Sequence, residues 1–114
     1  MEIKETDYNL SYDKESSTAI LKGSLRLLNL AEYEKVKVFF NMAAREANKT
    51  LTLDLKELIF LNSSGITTLS TFVISLRKEN KKLLRIIGSK DIAWQDKSLK
   101  NLKKIWNQVE LEYY

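Results

Sequence analysis

Apolar and polar positions alternate early in the chain. Within residues 17–27, Ala19, Leu21, Gly23, Leu25 and Leu27 fall on one face, and Ile20, Lys22, Ser24 and Arg26 on the other. That period of two predicts a half-buried strand. Gly23 inside it predicts a bulge or a strand end. Residues 8–13 predict a shorter strand before it, with a turn at Glu15-Ser16. The period then changes. Tyr33, Val36, Phe40, Ala43, Ala44 and Ala47 recur at helical spacing and predict a helix over 30–48, with Asn29 as its N-cap and Asn48 near its stop. Leu51, Leu53 and Leu55 alternate again as a strand over 50–55. A second apolar run, Leu58-Ile59-Phe60-Leu61, breaks off at Asn62-Ser63-Ser64-Gly65.

Helical spacing resumes with Ile66, Leu69, Val73 and Leu76. Leu83–Gly88 is nearly continuous in apolar residues, as a strand buried in an α/β sheet is. Residues 91–108 predict a last helix with Leu99, Leu102, Trp106 and Val109 on its inner face and Ile105 beside them. The alternating end, Val109 to Tyr114, predicts a final strand. The order is ββαβαβαβ. Strands separated by helices pair in parallel through right-handed crossovers. The expected fold is α/β: a mixed sheet of four to five strands with three to four helices, in one domain spanning 1–114. Sites in such sheets lie beyond the carboxyl ends of the strands, and the segment after Leu61 is such a place.

Composition narrows the chemistry. The 114 residues include no Cys, no His and no Pro, and three Gly. Without Cys or His there is no thiol nucleophile, no sulfur-ligated zinc and no His-based triad. No glycine-rich phosphate loop or metal-ligand spacing is present, so neither a cofactor nor enzymatic activity is expected. The net charge of +4 is mild and does not point to nucleic acid. No apolar run approaches the length of a membrane helix, and residues 1–7 lack an apolar signal core, so the expected location is the cytoplasm without membrane insertion. Arg77, Lys78, Lys81, Lys82 and Arg85 form one basic cluster in sequence, and Lys97, Lys100, Lys103 and Lys104 another. Such clusters read as solvated faces, or as attraction to an acidic partner or an anionic membrane surface.

Asn62-Ser63-Ser64-Gly65 carries the most information. Asn and Ser are good helix caps, and the segment reads as a cap alone on that ground. It also places hydroxyls where a helix dipole and free N–H groups receive an anion, so Ser63 is a place for a phosphate. A phosphate cradle in the turn Ser63-Ser64-Gly65 of a small enzyme or nucleotide-binding domain is the third reading. Phe72 and Ile74 lie off the apolar stripe of the following helix. They read as a wide buried face or as a partner patch beside Ser63, with Thr67, Thr68 and Thr71 around it. Trp94 is ambiguous between core and contact.

The run Leu53-Asp54-Leu55-Lys56-Glu57-Leu58-Ile59-Phe60-Leu61-Asn62-Ser63-Ser64-Gly65-Ile66 resembles the signature of the STAS domain, the family of bacterial anti-sigma-factor antagonists. Gly23-Ser24-Leu25 and Leu83–Gly88 extend the resemblance over most of the chain. It implies a protein that acts by binding and regulates transcription through partner switching. Ser63 would be phosphorylated by a serine kinase of the histidine-kinase-like ATPase fold, itself often the anti-sigma factor, and dephosphorylated by a metal-dependent serine phosphatase. Asn62, Ser64 and Gly65 would complete the motif, and Gly23, Ser24, Thr67, Thr68, Thr71 and Phe72 would form the partner surface. Other relatives serve as subunits of transporters or stressosome-like complexes without phosphorylation. Two departures stand out. The family's acid before the serine is Asn62 here, which keeps the capping oxygen and drops the charge. The stretch from Ile92 to Asn107 also lacks the glycine common before the family's last strand.

Overall fold

The computed structural model describes residues 1–114. Its elements are β1 (Glu2–Lys4), β2 (Tyr8–Asp13), β3 (Thr18–Leu25), α1 (Glu34–Glu46), β4 (Thr50–Leu61), α2 (Ser63–Glu79), β5 (Leu83–Gly88), α3 (Ala93–Ile105) and β6 (Glu110–Tyr113). The strands make one six-stranded sheet in sequence order. β1, β2 and β3 pair antiparallel, and β3 to β6 run parallel. Each parallel step advances in the same direction with one helix in its crossover, so the right-handed rule puts all three helices on one face. α2 lies between α1 and α3.

One row across the sheet shows how the sequence pattern selects that face. Tyr12, Ala19, Leu53, Ile86 and Leu111 are register partners and point to the helices. The next row, Ser11, Ile20, Asp54, Ile87 and Glu112, points away. Ala19, Leu53 and Ile86 are fully buried. From above they meet Phe39, Phe40, Val73 and Leu99, each at most 3% exposed, in a continuous core.

The mixed α/β class and the alternating order hold, with differences of detail. The antiparallel strand β1 was not expected; its three residues are too short to show alternation. The strand expected over 17–27 spans Thr18–Leu25; it starts after Ser17, which takes a left-handed φ of 51° and whose Oγ accepts the Asn48 N–H at 3.1 Å. The helix expected from residue 30 begins at Glu34, after a turn over 30–33. Asn29 caps that turn through the Glu32 N–H at 3.1 Å, and the N-cap position of α1 is Tyr33.

The two apolar runs at 50–55 and 58–61 are one strand. β4 pairs β3 with register shifts between Ile20 and Lys22 and between Gly23 and Ser24, each adding a residue on β4. Its inward residues are therefore Leu51, Leu53 and Leu55, then Leu58 and Leu61 at a spacing of three. Beyond Asp54 β4 leaves β5, and a buried side chain covers the exposed edge. Gln95, fully buried, donates Nε2 to the Leu55 carbonyl at 2.7 Å and the Leu58 carbonyl at 3.1 Å. Its Oε1 accepts the Ser89 N–H at 2.7 Å.

Candidate functional site

Ser63 is the first residue of α2 and is exposed at the carboxyl end of the sheet. β4 delivers the chain there, and Asn62 turns it with φ −79° and ψ 177°, the extended geometry of an N-cap. The Asn62 Oδ1 accepts the Gly65 N–H at 3.0 Å, and its backbone carbonyl accepts the Ile66 N–H at 2.9 Å. The N–H groups of Ser63 and Ser64 belong to the first turn and have no helical partner by geometry. The first turn holds no acidic residue. Anion-receptive backbone and an exposed hydroxyl thus coincide at Ser63.

Asn62 also holds the chain leaving β3. Its Nδ2 donates to the Leu27 carbonyl at 2.8 Å, and its N–H to the Leu25 carbonyl at 3.2 Å. The Tyr33 hydroxyl donates to Asn62 Oδ1 at 2.6 Å, with the Leu25 carbonyl 3.2 Å away. Burial pushes the Tyr33 phenol above its ordinary pKa, so it stays a neutral donor. Gly65 packs against this joint. A Cβ there would lie 2.7 Å from the Tyr33 hydroxyl and collide with the Leu61 side chain.

Around this end the chain exposes apolar side chains. Leu28 is 85% exposed and Leu30 54% in the turn held by Asn62, while Ile59 and Phe60 are exposed near the end of β4. The Arg26 guanidinium lies 4.8 Å from the centre of the Phe60 ring. Glu32 fixes the turn by accepting the Leu28 N–H at 2.8 Å. The apolar stripe read for the first helix starts at Tyr33 and includes neither Leu28 nor Leu30. Leu28 falls in the gap between the strand expected over 17–27 and the helix expected over 30–48, and Leu30 stands first in that helix, in the part that is a turn instead.

The residues expected to form a partner surface divide. Thr67 and Thr71 are exposed on α2, and Ser64, Gly23 and Ser24 are half-buried. Gly23 has φ +92°, and a Cβ there would collide with the Asp7 carbonyl, which accepts the Ser24 N–H at 2.9 Å. Thr68 and Phe72 do not belong to an exposed surface. Thr68 is 3% exposed and donates its hydroxyl to the Ser64 carbonyl, and Phe72 is 6% exposed and stacks on Phe40 with ring centres 4.9 Å apart. The apolar stripe of α2 is wide enough to include both. Trp94 is half-buried and donates to the Leu58 carbonyl at 3.1 Å, and Trp106 is in the core.

The basic clusters also divide. Arg85 leaves its sequence neighbours and pairs with Glu112 across β5 and β6 at 2.8 and 3.0 Å. That bond holds the Glu112 carboxyl below its ordinary range. Lys100 pairs with Asp96 on α3, and Lys103 and Lys104 stand at the other end of that helix.

No family model matches the sequence, and none of the curated proteins does. Solved structures match the fold along its whole length. A chain in the complex of the diguanylate cyclase SiaD with its activator SiaC from Pseudomonas aeruginosa superposes with a TM-score of 0.73 at 15% identity, covering 100% of this chain and 99% of that one. SiaC of Pseudomonas aeruginosa gives a TM-score of 0.70 at 15% identity over 100% and 98% of the two chains. Apo-SiaC from the same organism gives 0.71 at 13% identity over 98% and 97%. At this identity the likeness establishes a shared mixed α/β fold.

Proposed function

We propose that this chain is a non-catalytic regulatory protein, one STAS-type domain acting in the cytoplasm, that binds a protein partner through the end of the sheet bearing Ser63. Phosphorylation of Ser63 by a partner serine kinase releases the bound protein, and a partner phosphatase restores binding. The observation that carries the reading is the exposed Ser63 hydroxyl at an acid-free helix start, beside exposed Leu28, Leu30 and Phe60. The apolar side chains supply surface to bury. A phosphate next to them puts nearly two charges where a docked partner excludes water. The solved complex of SiaC with the cyclase it activates supports regulation by binding for a protein of this fold.

A second reading rests on Asn62. Its amide is engaged inside the fold, so no carboxylate stands next to the hydroxyl to assist a kinase. On that reading the chain is a subunit of a larger complex and is never phosphorylated.

Incubation with ATP and a partner serine kinase of the histidine-kinase-like ATPase fold, followed by phosphopeptide mass spectrometry, is expected to place one phosphate on Ser63. Calorimetry against the same kinase is expected to show Ser63→Asp binding at least about tenfold more weakly than wild type, because the new charge is desolvated at the interface. Thermal melts of that variant should move by no more than about 0.3–1 kcal/mol, since a carboxylate suits a helix start. Phosphate on Ser64 alone, or equal affinity for wild type, Ser63→Ala and Ser63→Asp, would leave the subunit reading in place.

A further inference from the structure

Salt bridges are spread over much of this molecule. The six salt bridges join Lys22 to Glu57, Lys35 to Glu5, Lys37 to Glu34, Lys56 to Asp54, Arg85 to Glu112 and Lys100 to Asp96. None of them lies at the amino end of the parallel strands, opposite Ser63, where α1 and α2 finish and the chain turns into β4 and β5. Those helix ends and turns carry six basic side chains against two acidic ones, Glu46 and Glu79. That excess equals the net charge of +4 of the whole chain.

Two of the six have architectural work. Lys82 donates to the Ala47 carbonyl and ties the end of α1 to the turn before β5. Arg77 donates to the Ile105 carbonyl at the end of α3 at 2.6 Å. Such bonds satisfy carbonyls that a helix end leaves open. Arg45, Lys49, Lys78 and Lys81 have no such partner and are exposed.

A cleft of about 670 Å³ opens between α1 and α2 at this end. Arg45 and Asn41 line it from α1, Ser75 from α2, and Lys81 from the turn, with Glu79 as its one acid. Phe72 and Leu76 are 6% and 3% exposed and Ala44 adds one half-buried methyl, so the larger part of the wall surface is polar.

We propose that this cleft binds an extended, acidic segment of a protein partner. Unpaired cations select an anion, and the Asn41 amide and Ser75 hydroxyl suit a peptide backbone. A bilayer is flat and cannot enter a cleft. An amphipathic helix needs exposed apolar surface, which Phe72 and Leu76 do not provide. Single-stranded nucleic acid stacks on exposed aromatic rings, and Phe72 and Trp106 are buried. The proposal is independent of the Ser63 reading, because the two surfaces lie at opposite ends of α2.

The test is fluorescence anisotropy with a labelled decaglutamate peptide, run beside phosphatidylglycerol vesicles and an oligo-thymidine. The peptide is expected to bind and to weaken as salt rises. The double variant Arg45→Glu with Lys81→Glu should lose at least about tenfold in affinity. Lys90→Glu with Lys97→Glu changes the net charge equally, away from the cleft, and should lose less than about twofold. Circular dichroism confirms that each variant is folded, and Arg45→Gln with Lys81→Gln serves in place of a variant that is not. Equal losses in the two pairs would mean that net charge and not the cleft attracts the peptide, and would overturn the proposal. So would a failure of the peptide to bind, or vesicles or oligonucleotide binding more tightly and losing that binding in the cleft variant.

Discussion

At Asn62 one side chain joins three stretches of the chain. Its Oδ1 takes the Gly65 N–H and the Tyr33 hydroxyl, and its Nδ2 gives to the Leu27 carbonyl. An aspartate can replace the acceptor but not the donor. In Asn62→Asp a carboxylate oxygen would face the Leu27 carbonyl at about the present 2.8 Å, leaving that carbonyl unsatisfied and repelled. The expected cost is about 1–3 kcal/mol in urea unfolding. Faster amide exchange at Leu28 is expected with it, because the turn that exposes Leu28 and Leu30 loses its tether. An unchanged melting curve would mean that the turn is held without the amide. The sequence made the cap legible, because capping acts over three residues and depends on residue type. The other two bonds reach Tyr33 and Leu27, 29 and 35 positions away, and only the folded sheet end brings them together. Tyr33 itself was legible as a buried residue and not as the partner of Asn62.

β4 shows what pattern reading gains and loses at the level of an element. Alternation identified Leu51, Leu53 and Leu55, and the apolar run at 58–61 was visible too. Two bulges shift the period to three at Leu58 and Leu61, so one twelve-residue strand read as two pieces. Beyond Asp54 the strand also leaves β5, and the Leu55 and Leu58 carbonyls on that open edge are met by a glutamine that α3 buries. Nothing in the helical pattern of residues 91–108 marked Gln95, since a glutamine on a helix is ordinarily solvated. Replacing it by leucine keeps the volume and removes the bonds. The Leu58 carbonyl would retain the Trp94 indole at 3.1 Å, but the buried Leu55 carbonyl and the half-buried Ser89 N–H would lose their partner. Gln95→Leu is expected to cost about 2–4 kcal/mol. Chemical unfolding followed by the fluorescence of Trp94 and Trp106 measures it. A loss below about 1 kcal/mol would show that water reaches the bulged edge and that Gln95 is not its cover.

Across the whole molecule, the parallel strands order the chemistry by pole. Helices begin at their carboxyl ends, where Ser63 and the exposed leucines lie, and finish at their amino ends, where the unpaired cations lie. The sequence carried the order of elements, and hence which residues share an end, once strands and helices were seen to alternate. It did not separate Arg85 from Lys82, because a run of basic residues in sequence crosses from a turn into a strand. The two poles are joined by α2, whose 17 residues span about 25 Å. Two unit charges that far apart interact by about 0.2 kcal/mol in water before screening. A Debye length near 8 Å removes most of that. Ser63→Asp should stabilise by about 0.3–1 kcal/mol, since it places an anion at the start of the helix. Lys81→Glu, just past the end of the same helix, should destabilise by a similar amount. Their combination is therefore expected to be additive within about 0.5 kcal/mol. Thermal or urea unfolding of wild type, the two single variants and the double variant closes the cycle. A coupling above about 1 kcal/mol cannot come from the charges themselves. It would mean that α2 shifts as a body against the sheet and links the Ser63 surface to the basic cleft, so that occupancy of one changes the affinity of the other.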